Sequence, residues 1–149
     1  VVGMEKPLTG WGVAGYTAEK AKRVASGEYK KPILEYKFVH NEVMDVFVKT
    51  GLLGLALLLW FYMLPIWMFW PTQARMQMFE GGDPGQRRMM LALRMSGVCV
   101  PVLYVGFGFT QVFFAHNSGI MFYLFSIILL WSMVQGLERC VLSQRVVPR

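Results

Sequence analysis

His40 heads a polar cluster, His40-Asn41-Glu42-Val43-Met44-Asp45, that runs straight into an apolar stretch reaching Trp70. A neutral imidazole can take a proton from an attacking hydroxyl, which is general-base chemistry. The positive end of a helix beginning at Asn41 favours the neutral ring, while Glu42 and Asp45 favour the charged one, so local features leave that balance open. His40 therefore reads either as a base at the mouth of a membrane helix, supported by Asn41, Glu42 and Asp45, or as an interfacial histidine that caps or hydrogen-bonds a loop.

Upstream, Lys20, Lys22, Arg23, Lys30, Lys31 and Lys37 form a run of cations. Such a run suits a pyrophosphate, because fixed positive charge stabilises the negative charge that grows as the group leaves. Arg23 ranks above Lys22, Lys31 and Lys37 because a guanidinium contacts phosphate oxygens in pairs. The alternative is a solvated surface of mixed charge. His116-Asn117 repeats the histidine-asparagine pair and is expected to support His40 from a nearby loop. A metal bridging the two histidines would lack a third ligand, so no metal site is expected. Cys99 and Cys140 have neither a CxxC partner nor a histidine at ligand spacing and read as free thiols. Arg94, inside an apolar run, reads as a snorkelling interfacial residue. No Walker loop, GxSxG elbow or metal-holding DxD pair is present.

These groups need elements to position them, and the composition indicates a membrane scaffold. Of 149 residues, 55% are hydrophobic and only 16% are charged, against about 25% charged in soluble domains. The expected architecture is all-α and integral to a membrane, with about three transmembrane helices and a loop domain before the first. The expected order is a periplasmic loop segment (1–40), a first helix (41–70), a cytoplasmic loop (71–88), a second helix (89–109), a short periplasmic loop (110–117), a third helix (118–137) and a cytoplasmic tail (138–149). Asn41 is an N-cap with acids in the following turn, and Pro65 should kink the first span. Gly10 and Gly12 shape a tight irregular turn over 10–16, and Thr17–Ser26 should form a short helix behind a threonine cap. Arginines in the connection and tail place both in the cytoplasm. Seven lysines or arginines before His40 argue the other way; the outside placement of 1–40 is kept. The net charge of +6 fits a phosphate-bearing partner or anionic lipid. No bases interleave with aromatics as a nucleic-acid reader requires. The Val-Val-Gly start, with neither initiator Met nor signal pattern, leads to the expectation of a fragment of a larger protein.

Pro7-Leu8-Thr9-Gly10-Trp11-Gly12, then His40-Asn41 with Asp45, then Gly51-Leu52-Leu53-Gly54-Leu55 follow the pattern P-L-x-G-x-G … H-N-x-x-x-D … G-L-x-G. In this the chain resembles the C-terminal portion of the O-antigen ligase and polymerase superfamily, well over residues 5–64 and only in hydropathy beyond. The resemblance implies a multi-span, GT-C-like glycosyltransferase of the bacterial inner membrane, active at the periplasmic face without cofactor or nucleotide. It implies transfer of a glycan from undecaprenyl pyrophosphate to lipid A-core, with His40 matching the motif histidine. Polymerase and protein oligosaccharyltransferase activities belong to the same superfamily. The family's pyrophosphate-binding arginines and N-terminal spans are expected upstream of Val1. From another class, a transporter or assembly subunit should show paired charges or broken helices at midplane.

Overall fold

The computed structural model of the protein describes residues 2–35, 40–80 and 82–146. Among these, the regular elements are helices: α1 (Gly12–Ala25), α2 (Glu42–Phe69), the single turn α3 (Gln73–Met76), α4 (Pro84–Gly108) and α5 (Asn117–Val146), with 3-10 turns at Val2–Glu5, Lys31–Leu34 and Gln77–Phe79. α2, α4 and α5 are long and apolar enough to cross a membrane, at 28, 25 and 30 residues against the ~20 that span hydrocarbon. Leu57, Trp60, Phe122 and Phe125 are exposed on them, as suits helices solvated by lipid.

The helix ends depart from the sequence expectations for identifiable reasons. α4 starts at Pro84, five residues before position 89, because the Asp83 carboxylate accepts the Gly85 N–H at 2.9 Å and proline fits the first helical position, where no N–H is needed. α5 continues to Val146, so most of the expected tail is helix. α1 starts at Gly12 rather than Thr17. The Thr17 hydroxyl caps nothing and instead donates to the Val13 carbonyl inside the helix, at 3.0 Å. Of the expected irregular turn, Gly10 and Gly12 keep positive φ, +66° and +69°.

The chain divides into two compact units, Val1–Phe61 with Val105–His116, and Tyr62–Tyr104 with Asn117–Arg149. The first is organised around a break in α2. The sequence predicts a kink at Pro65, but the residue that leaves helical conformation is Gly51, at φ +68° and ψ −161°. A straight helix would bond the Leu52 N–H to the Val48 carbonyl. Here each half of that bond is made with the N-terminal segment. Leu52 N–H donates to the Pro7 carbonyl at 2.8 Å, and the Val48 carbonyl accepts Trp11 N–H at 3.0 Å. Leu53 N–H donates to the Leu8 carbonyl at 3.3 Å, so the break leaves these polar groups paired. The Trp11 indole closes the segment by donating to the Val2 carbonyl at 2.8 Å.

The second unit has an apolar core that includes Phe69, Met90, Leu93, Val134 and Val141. The Phe69 ring packs edge-on against Trp131 with centroids 5.6 Å apart. Arg94 does not snorkel: it is 2% exposed and pairs with Glu138 at 2.6 Å, because a carboxylate from α5 reaches it inside the apolar layer. Arg75 donates to the carbonyls of Trp67, Met68 and Trp70, satisfying groups that a helix C-terminus leaves open.

Candidate functional site

Glu42, Asp45 and Lys49 are spaced i, i+3 and i+7, which places them on one face of the polar first turns of α2. That face borders a cavity of about 420 Å³, to which α1 contributes Thr17, α2 also Thr50, and the segment after α4 Phe114. Asp45 and Lys49 form an ion pair at 2.6 Å with side chains 5% and 10% exposed. Glu42 is 1% exposed and its carboxylate accepts the Phe114 N–H at 2.7 Å. Asn41 is the N-cap the sequence predicts: its side-chain oxygen accepts Met44 N–H at 3.0 Å, while its amide donates to the Phe109 carbonyl at 3.2 Å. Asn41 and Glu42 thus fasten the 109–116 segment, which carries His116, to the start of α2.

From α1, Lys20 is 4% exposed, with its ammonium 4.8 Å from the Tyr16 ring centroid. Burial pushes Lys20 below its ordinary value and the Lys49 charge adds to this, with Asp45 opposing. Burial, then Asp45, pushes the Tyr16 phenol upward. Tyr16, Lys20, Asp45 and Lys49 therefore form one electrostatic group across two helices.

Arg23 is engaged by three carboxylates: Glu5, Glu19 at 2.9 Å and Glu28 at 2.9 Å. Hydrogen bonds to Glu5, then Glu19, then Glu28 raise it above its usual range. Its guanidinium ties the first turn of the chain and the segment after α1 to that helix. Lys22 and Lys31 are exposed, and Lys37 lies outside the described residues. His40 and His116 are exposed, and neither lines the cavity. Among the described residues, no group of three or more His, Cys, Asp or Glu is placed to hold a metal ion, and Cys99 and Cys140 are free, exposed thiols.

Gly10 and Gly51 are where the docked segment crosses α2. A Cβ on Gly10 would enter the backbone of Lys49 and Thr50, and one on Gly51 the backbone of Leu8 and Thr9. Gly12 has open space around it, so only its φ calls for glycine. The site residues that sequence reasoning passed over are Tyr16, Thr17, Lys49 and Thr50. Lys49 was accessible from its i, i+4 spacing to Asp45 on the face already holding Glu42.

No family model matches the chain, and no solved structure matches it. It is 30% identical over 119 residues to an uncharacterized protein of Haemophilus influenzae strain Rd. The match covers 80% of this chain and 27% of that protein, so the chain spans about a quarter of the length of that relative.

Proposed function

We propose that the chain is part of a polyprenyl-pyrophosphate-dependent membrane glycosyltransferase of the O-antigen ligase type. It would move a glycan from undecaprenyl pyrophosphate to lipid A-core at the periplasmic face of the inner membrane. The observation that carries this reading is the docking of Pro7–Trp11 into the break at Gly51, beside the cavity bearing Glu42, Asp45 and Lys49. Two of the stretches that resemble the superfamily, Pro7–Gly12 and Gly51–Leu55, lie some forty residues apart and are bonded to one another in one unit. His40 immediately precedes the capping residue of that unit's helix and is exposed to an incoming acceptor.

In this reading the acceptor oxygen bonds to the anomeric carbon of the donor sugar. The carbon–oxygen bond to pyrophosphate breaks with its electron pair leaving on phosphate, and the acceptor proton passes to the His40 imidazole. Charge accumulates on the departing phosphate oxygen, where cations fixed in advance are most effective. Lys22 and Lys31 are exposed for that role, while Arg23 holds the segment that presents them. The test is the lipopolysaccharide ladder of ligase-deleted cells expressing the full-length parent protein, with and without His40→Ala. The parent should restore the ladder and the variant should not, at equal membrane levels. A ladder restored by His40→Ala removes the catalytic assignment, and restoration only in polymerase-deleted cells moves the reading to a lipid-linked glycan acceptor.

A second reading, a transporter or assembly subunit, is favoured by the Arg94–Glu138 pair. Arg94 lies six residues beyond the exposed Arg88, ~9 Å at ~1.5 Å per residue, inside the apolar run but short of the ~15 Å to midplane. A buried, paired charge inside an apolar span is a feature of transport pathways. The Gly51 break, nine residues into α2, belongs to the membrane mouth and favours the first reading. Loss of ladder formation in His40→Ala alongside normal activity in an Arg94→Met, Glu138→Met double variant would leave the enzyme reading standing.

A further inference from the structure

Six arginines belong to the described part of the second unit: Arg75, Arg87, Arg88, Arg94, Arg139 and Arg145. Three are committed to internal partners. Arg75 donates to the end of α2, Arg94 pairs with Glu138, and Arg145 donates to the Met78 carbonyl at 2.6 Å. Arg87 and Arg88, in the first turns of α4, are exposed, and no carboxylate among the described residues lies within ion-pair distance of either. The nearby Asp83 carboxylate accepts the Gly85 N–H through one oxygen. Both arginines line a pocket of about 320 Å³ whose other walls are Met76, Pro84 and Leu91. The pocket thus combines two cationic residues with apolar ones.

Exposed residues continue from the pocket along the helix. Arg88, Leu91, Met95, Cys99 and Val102 are spaced three, four, four and three residues apart, which is one face of α4, and each is exposed. From Arg88 to Val102 the stripe extends ~21 Å at ~1.5 Å per residue, longer than one leaflet's ~15 Å of hydrocarbon. A helix face of this kind, cationic at its head and apolar for the depth of a leaflet, matches a phosphodiester with an acyl chain attached.

We propose that the pocket at Met76, Pro84, Arg87, Arg88 and Leu91 is a binding site for the phosphate headgroup of an anionic phospholipid, with the acyl chain lying along the Leu91–Met95–Val102 face of α4. Charge complementarity selects the anionic lipid over a zwitterionic one, whose ammonium would meet two exposed guanidiniums. The site is independent of the glycan-transfer reading and survives or fails without it.

The test is native mass spectrometry of the full-length parent protein in detergent, titrated with phosphatidylglycerol or phosphatidylcholine. The parent should retain phosphatidylglycerol preferentially, and Arg87→Gln with Arg88→Gln should weaken that retention by about fivefold per arginine. Arg139→Gln, which removes an exposed arginine outside the pocket, should leave it within about twofold. Equal losses from Arg139→Gln and the double variant would replace the site with a diffuse basic surface and overturn the proposal. Displacement of the lipid by inorganic phosphate at the same concentration would overturn it in favour of a free-anion site. A parent that does not distinguish the two lipids would overturn the charge selection and with it the proposal.

Discussion

Gly10 and Gly51 lie in two backbone segments that cross so closely that a Cβ on either would enter the main chain of the other segment. Both residues also hold positive φ, so each position excludes a side chain twice, by strain and by space.

Gly51→Ala and Gly10→Ala should therefore each destabilise the first unit by more than the ~1–2 kcal/mol of a left-handed L-residue alone. Gly12→Ala, with the same φ but open surroundings, should show only the strain. Thermal unfolding of the full-length protein in detergent measures the three. Equal losses at all positions would mean that the crossing relaxes and space is not limiting.

Asp45 and Lys49 form a buried pair, and removing one member leaves a charge with little water around it. Asp45→Asn should lower stability by ~3–5 kcal/mol, whereas Asp45→Leu with Lys49→Met should recover most of the loss. A double-mutant cycle reads the coupling. Additive single effects would show that water reaches the pair.

Lys20 sets the sign of an alkaline pH dependence. Its ammonium is held below the ordinary value of 10.5. Between the depressed value and 10.5 the unfolded chain binds more protons, and stability rises with pH across that window. Tyr16 works oppositely: its phenol is raised above 10.0, so the folded state keeps that proton longer and stability falls above pH 10. Lys20→Met should flatten the rise and Tyr16→Phe should remove the fall. Denaturant titrations from pH 7.5 to 11 check both, and an unchanged slope in Lys20→Met would contradict the assignment.

Gly97 and Gly106 separate packing from helix propensity in α4. A Cβ on Gly97 would enter the Phe69 ring, whereas Gly106 has open space. Gly97→Ala should cost about 1–3 kcal/mol by overpacking, and Gly106→Ala should be neutral or stabilising by up to ~1 kcal/mol. Melting temperatures of the two variants decide this, and a stabilised Gly97→Ala would show that Phe69 moves aside freely.

The three apolar helices were legible because each announces itself in a continuous run of local sequence, and Asn41 was legible because its capping bond reaches only to Met44. The early start of α4 was also written locally, in Asp83-Pro84, but composition made Gly81–Gly85 look like a turn throughout. The Gly51 break was not legible. Pro65 carries the familiar kink signal, whereas the groups that stabilise the break come from Pro7, Leu8 and Trp11, some forty residues away. Arg94 was misjudged for the same reason, since Glu138 lies 44 positions downstream. Arg23 drew attention as a phosphate ligand by its chemistry, yet Glu5, Glu19 and Glu28 had the same chemistry to offer it from within the chain.

The exchange at Leu52 has a mechanical consequence. Its N–H has two geometrically exclusive acceptors, the Pro7 carbonyl that it uses and the Val48 carbonyl that a straight helix would supply. Val48 in turn exchanges the Leu52 donor for that of Trp11. Docked and straightened forms therefore differ little at this junction in the protein bonds to Leu52 and Val48, and the direction of the apolar half of α2 is governed by whether the N-terminal segment is seated. That segment acts as a splint, holding α2 in its broken form at Gly51.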